Sequence, residues 1–260
     1  MEFSLTQMWE HMGLPARLVA GVLVVMGLAS LTVFIERLLS LGRSRKESLR
    51  FAEQVKGHLR ADQIGATLAD AAQHPNGHLP QIVGYGLSAY EHARETRDVS
   101  GLPPAERTRR QVERYLDDVG NDLRRGLWVL ASVGSVAPFV GLLGTVVGII
   151  SAFQGIASSG SGGLSSVSAG ISEALVETAL GLTVAIPAVL AFNYLATVIG
   201  LGEKSLHKAA GELLDAIEQL PADLLADPVG IGDVQDRIPG AAELNALMAA
   251  RQKAAAPITA

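Results

Sequence analysis

Residues 127–200 read LWVLASVGSVAPFVGLLGTVVGIISAFQGIASSGSGGLSSVSAGISEALVETALGLTVAIPAVLAFNYLATVIG, and this stretch decides the fold. Between Arg125 and Glu203 there is no Lys, Arg, His or Asp, and the ionisable side chains are Glu173, Glu177 and Tyr194. As single helices, Leu127 to Ala157 would run about 46 Å and Leu164 to Gly200 further still, against a hydrocarbon core of about 30 Å. The strong break between them is SSGSGG at Ser158 to Gly163. Two long helices joined by a tight turn are therefore expected, each protruding from the bilayer. A charge at the bilayer centre costs about 2.5 to 3.5 kcal/mol on insertion scales, so carboxyls placed there face a bundle interior or a watery path. The pair marks either an ion pathway or a polar contact between helices.

The rest of the chain agrees with a membrane protein. Apolar residues make up 48% and charged residues 18%, and the mean hydropathy is +0.30, too apolar for an ordinary soluble domain. Without cysteine there are no disulfides or thiolate metal sites. A net charge of −5 with no concentrated basic face argues against nucleic acid as a partner. A further apolar run, LVAGVLVVMGLASLTVFI at Leu18 to Ile35, is about 27 Å long as a helix and just crosses the core. The residues before it include Glu2, Glu10 and Arg17 but no basic cluster, which favours an uncleaved anchor over a secretory signal.

Basic residues cluster after the first run (Arg37, Arg43, Arg45, Lys46, Arg50), before the second (Arg124, Arg125) and after the third (Lys204, Lys208). The positive-inside rule then puts the amino terminus outside and the carboxyl terminus in the cytoplasm. The fold expected is all-α and polytopic, with three transmembrane helices, two of them long and reaching into the cytoplasm. The layout is an outer segment 1–17, a first span 18–39, a cytoplasmic helical segment 40–126, a second span 127–157, an outer turn 158–163, a third span 164–202 and a cytoplasmic tail 203–260. Within the cytoplasmic segment Ser44 to Ala72, Leu79 to Arg97 and Pro104 to Gly126 read as helices separated by HPNGH and SGLPP. The last of these is expected to run on into the second span, although Gly120 and Gly126 weaken it; its charge run reads as a solvated face. After Leu220 repeated Pro and Gly predict a largely flexible tail, with Ala241 to Ala255 able to form a short helix.

Inside the spans, Gly134, Gly141 and Gly148 recur every seven residues, and Ala137 with Gly141 and Gly144 with Gly148 have small-xxx-small spacing. Such patterns let membrane helices approach closely. Pro138 and Pro187 each remove a helical hydrogen bond and can kink the axis. Thr145, Thr178 and Thr183 either bond back to their own helix or line a pore. Glu173 and Glu177, four residues apart, share a helix face and crowd each other's ionisation, so at least one is expected to be protonated at neutral pH. Glu173 lies about 14 Å beyond Leu164, inside the bilayer if the helix starts near the turn and at the outer interface if it starts nearer Ile171. The spans hold neither His nor Asp, which argues against intramembrane proteolysis. His74 and His78 straddle Pro75 and read as surface residues, since a catalytic metal would want a third ligand.

APFVGLLGTVVGIISAF at Ala137 to Phe153, followed by GISEALVETALGLTVAIPAVLAFN at Gly170 to Asn193, resembles the paired signature of the MotA/TolQ/ExbB proton-channel family. Three spans, with Glu36 and Arg37 closing the first, resemble the TolQ and ExbB branch. The resemblance implies a homopentamer in the bacterial inner membrane, its second and third spans ringing a pore that holds the helices of a TolR/ExbD-like single-span partner bearing an intramembrane Asp. It matches Glu173, Thr145 and Thr178 to the family's polar positions and Pro138 and Pro187 to its prolines. Glu177 departs from the pattern, standing where relatives usually carry Ala or Thr. The function implied is a motor subunit that couples proton entry to mechanical work, with no cofactor, no metal and no enzymatic step; sodium stays open as the ion. The other reading is a non-conducting scaffold whose glutamates only bond between helices.

Overall fold

In a computed structural model the described residues are 13–55, 64–95, 101–159 and 164–218. They form six helices and no strand: α1 (Leu14–Val55), α2 (Ile64–Gln73), α3 (His78–Glu95), α4 (Pro104–Arg124), α5 (Leu127–Ser159) and α6 (Leu164–Glu218). Three of these, α1, α5 and α6, are long and apolar enough to cross a membrane among the described residues. The chain is therefore an all-α polytopic membrane protein. The outer segment 1–12, the centre of the outer turn and the tail beyond Glu218, with its possible helix at 241–255, lie outside the described residues.

The chain divides into two compact units, Met1–Leu38 with Arg124–Val198, and Leu39–Leu123 with Ile199–Ala260. In the first, a thin core of Leu23, Val133, Ala137, Ala185 and Ala188 joins the three apolar helices. Most large apolar side chains point outward instead: Leu18, Val25, Phe139, Leu175 and Leu190 are each more than half exposed. In water such a surface would aggregate; in lipid it is the solvated face.

The second unit follows the opposite rule, with apolar residues inside. Phe51, Leu68, Leu87, Leu213 and Ile217 belong to one cluster, and Ile82, Val112, Leu116 and Leu214 to another. Thr108, Val112, Leu116, Val119 and Leu123 form the buried stripe of α4 at helical spacing. Its other face is charged, with ion pairs Arg109–Glu218 at 2.7 Å and Arg110–Glu106 at 3.1 Å. This is the solvated face the charge run predicts.

Two helix boundaries differ from expectation. Ser44 does not begin a helix, because α1 continues from Leu14 to Val55. Nothing between Ile35 and Val55 breaks a helix, and Gly42 alone costs only about 1 kcal/mol. Nor does one helix run from α4 into α5: Arg125 and Gly126 form a turn, Gly126 has φ +80°, and the Val129 amide donates to the Gly126 carbonyl at 3.0 Å. Glycine alone takes that left-handed conformation without strain, which makes Gly126 a helix terminator.

His74 and His78 are not idle surface groups. The Asn76 amide and side chain donate to the Glu47 carboxylate at 2.8 and 3.0 Å, His74 Nε2 bonds Gln54, and the His78 amide donates to Ser44 Oγ at 3.2 Å. The Ser44 hydroxyl also bonds His78 Nδ1. The α2–α3 turn is thus tied to α1 through neutral His78. Burial pushes the His78 imidazole below its ordinary 6.5, against a smaller opposite pull from Asp122.

Two predictions follow from these contacts. An added Cβ at Gly126 would sit 3.2 Å from Val33 Cγ1 in a backbone conformation that alanine resists, so Gly126→Ala is expected to cost about 1–3 kcal/mol of stability. At helical Gly120 the added carbon meets only the mobile end of Glu203, at 3.3 Å, so Gly120→Ala is expected to lose no stability; thermal unfolding in detergent separates the two. For His78, the unfolded chain takes up a proton near pH 6.5 that the folded imidazole refuses until lower pH. Stability is therefore full above that range and declines as pH falls through it; a melting temperature measured against pH should show a shallower decline in His78→Gln than in the native chain.

Candidate ion-pathway site

The site is built on the seam between α5 and α6 in the membrane unit. A Cβ added at Gly141 would lie 2.8 Å from the Glu177 carbonyl and 3.1 Å from the Gly181 Cα, and one added at Gly181 would lie 2.8 Å from the Ala137 carbonyl. The two backbones touch here. The pattern repeats along the seam, where a Cβ added at Gly134 would lie 2.5 Å from Val189 Cγ2, one at Gly148 would lie 3.2 Å from Ala174 Cβ, and one at Gly170 would meet Ala152 Cβ. Partner numbers on α6 fall as those on α5 rise, which is the register of an antiparallel pair. The seven-residue glycine spacing, together with Ala137 and Ala152, thus keeps the face of α5 against α6 free of large side chains.

Into this bare seam α6 inserts one carboxyl. Glu177 is fully buried, at 0% exposure, and neither of its carboxyl oxygens has a hydrogen-bond partner among the described residues. Its Oε2 occupies the space where a side chain at position 144 would begin, so Gly144 is its seat. One turn away Glu173 is half-exposed, and its Oε1 accepts the Gly13 amide at 2.9 Å, just before α1 begins. Two carboxyls that look alike in the sequence therefore have different surroundings: one held by a backbone donor at the edge, the other enclosed and unpartnered.

The threonines separate in the same way. Thr145 Oγ1 donates to Leu142 O at 2.6 Å and Thr183 Oγ1 to Ala179 O at 2.8 Å, both within their own helix. Thr178 Oγ1 instead donates across the seam to Gly141 O at 3.3 Å. The structure brings Glu177, Thr178, Gly141 and Gly144 into one spot, with Glu173 and Thr145 beside it. Pro138 and Pro187 lie inside continuous helices. Pro187 and Thr183 are elsewhere, on an open cavity of about 550 Å³ between α1 and α6 that also touches Gly27, Ser30, Phe34 and Tyr194. Sequence reasoning missed the Gly13 amide as the partner of Glu173, and nothing in residue type or spacing signals it.

Residues 85–206, which include this whole seam from α5 through most of α6, match the MotA/TolQ/ExbB proton channel family. The chain is 30% identical over 217 residues to the biopolymer transport protein ExbB of Salmonella typhimurium, covering 82% of this chain and 86% of that protein. It is 31% identical over 210 residues to the protein of the same name from Pseudomonas putida, covering 80% and 61% of the two chains. With that of Neisseria meningitidis serogroup A it shares 34% identity over 181 residues, or 67% and 80% of the two. With three spans and a seam of touching backbones that carries the paired signature, the chain belongs to the MotA/TolQ/ExbB proton channel family, in its three-span ExbB/TolQ branch.

Proposed function

We propose that this chain is an inner-membrane channel and motor subunit that, with a TolR/ExbD-like single-span partner, converts proton-motive force into mechanical work on the cell envelope. The observation that carries this reading is the acidic pair on α6, one member enclosed in the seam and one at its edge, in a stretch between Arg125 and Glu203 that holds no other charged side chain. Such residues inside a bilayer mark ion pathways by default. The biopolymer transport proteins that the chain resembles support the same assignment.

In this reading Glu173, Thr145, Thr178 and Glu177 form the polar face along which protons reach an intramembrane Asp of the partner. Five copies surround the partner's helices, with α5 and α6 facing the pore and α1 outside. The amino terminus is periplasmic and the carboxyl terminus cytoplasmic in this reading, which the placement of the basic residues supports. Each proton that enters releases about 2.3 kcal/mol per 100 mV of membrane potential, in addition to any pH gradient. Glycine at the α5–α6 seam keeps the two helices of each copy close, so a charge change on the pore face acts on the partner's helices.

The test is proton flux into vesicles containing the full chain with the single-span protein that co-purifies with it, the mass of the intact complex giving the copy number. Glu173→Ala is expected to lower flux at least about tenfold, equivalent to about 1.4 kcal/mol on the barrier. Full flux in that variant would remove Glu173 from the pathway, and an absence of flux in the native complex would favour the scaffold reading.

A further inference from the structure

We infer that Glu177 is a proton-binding site in its own right, a carboxyl that the α5–α6 hairpin holds as the neutral acid, with Gly144 as the seat that keeps it dry. The site rests on the ion-pathway reading for its purpose, and on geometry alone for its chemistry.

The surroundings leave an ionised carboxylate nothing to pair with. Glu177 is completely buried, and neither oxygen has a donor among the described residues. Helix α5, which forms the seat, carries no ionisable side chain from Leu127 to Ser159. On α6 the neighbouring titratable group is Glu173, of the same sign and already bonded to the Gly13 amide. The part of α1 that packs on Leu180, through Ala16 and Ala20, carries Arg17, which is exposed. An isolated charge in such a place is far more costly than a neutral carboxyl, and a group in that position takes up a proton instead. The charge at Glu177 is therefore balanced by a bound proton and not by a base.

Gly144 makes the site possible. A Cβ at position 144 would overlap Glu177 Oε2, so a side chain there and the carboxyl in its present place cannot share the space. The seat also limits what ionisation can do. With backbones touching at Gly141 and Gly181, where an added carbon would come within 3.1 Å of the opposite Cα, a carboxylate seeking water has to widen the seam. Proton release from Glu177 is in this way linked to the spacing of α5 and α6, and a proton passing from Glu173 one turn inward closes it again.

The experiment is infrared difference spectroscopy of the full chain in lipid nanodiscs at neutral pH, with isotope-labelled glutamate identifying the carbonyl band of protonated side-chain acid. Water-exposed carboxyls are ionised at that pH and contribute nothing to this band. The native chain and Glu173→Gln are expected to show it. Glu177→Gln, a neutral near-isostere that fits the seat, is expected to lose it, and Gly144→Ala to lose it without altering any acidic residue. No acid band in the native chain would overturn the inference, as would a band undiminished in Glu177→Gln. A band that disappears when sodium is added at constant pH would overturn it too, since the bound ion would then be sodium. Loss of flux with the band intact defeats the motor reading and leaves this site standing; flux with no band does the reverse.

Discussion

The contact between the α5 and α6 backbones at Gly141 and Gly181 is the constraint on which the membrane half of this protein depends. Lipid tails are as apolar as leucine, so helices in a bilayer gain nothing by hiding apolar side chains from each other and associate through close packing and polar bonds. Here the packing is taken to its limit, with an added carbon at Gly181 only 2.8 Å from the Ala137 carbonyl. Thr178 and Glu177 are placed by that contact. Thr178 reaches the Gly141 carbonyl because the helices are this close, and the Glu177 carboxyl fits because Gly144 leaves it room. Larger residues along the stripe would separate the helices, break the cross-helix bond and let lipid or water reach the acid.

The two units meet different solvents, and the composition of each follows. The membrane unit exposes Phe139, Leu142 and Leu190 and keeps alanine and glycine inside. The other unit buries Phe51, Leu68 and Ile217 and exposes its charges. That second unit is an ordinary hydrophobic core with a polar surface, and its stability depends on familiar devices, among them the neutral imidazole of His78 against Ser44. The first unit has a thin core and depends on backbone proximity instead. α1 and α6 belong to both because no residue along them is a strong enough breaker, Pro187 included, since neighbouring helices can absorb what a proline removes in a membrane.

The acidic pair gains its meaning from asymmetry. Glu173 meets a backbone donor at the edge of the bundle, whereas Glu177 meets only the glycine seat. A proton that moved between them would pass from a site open to exchange to one sealed by two helices.

What the residues alone determined was the number of the apolar crossings, the small-residue face of α5 and the presence of two carboxyls in a stretch without other charge, because each is a matter of composition and period. Three things waited on the tertiary structure. Gly120 and Gly126 are the same residue in the same charged run, yet one stays helical and the other takes φ +80° and ends α4, a choice made by the surrounding packing and not by intrinsic preference. Ser44 is expected to begin a helix, but α1 runs through it and its hydroxyl bonds His78, 34 residues away. Glu173 and Glu177 differ by about 40° around the helix axis, a rotation no residue pattern resolves into seam or edge until α5 is in place. Local periodicity shows which face is apolar; only the neighbouring backbone decides which side chain on that face is shut in.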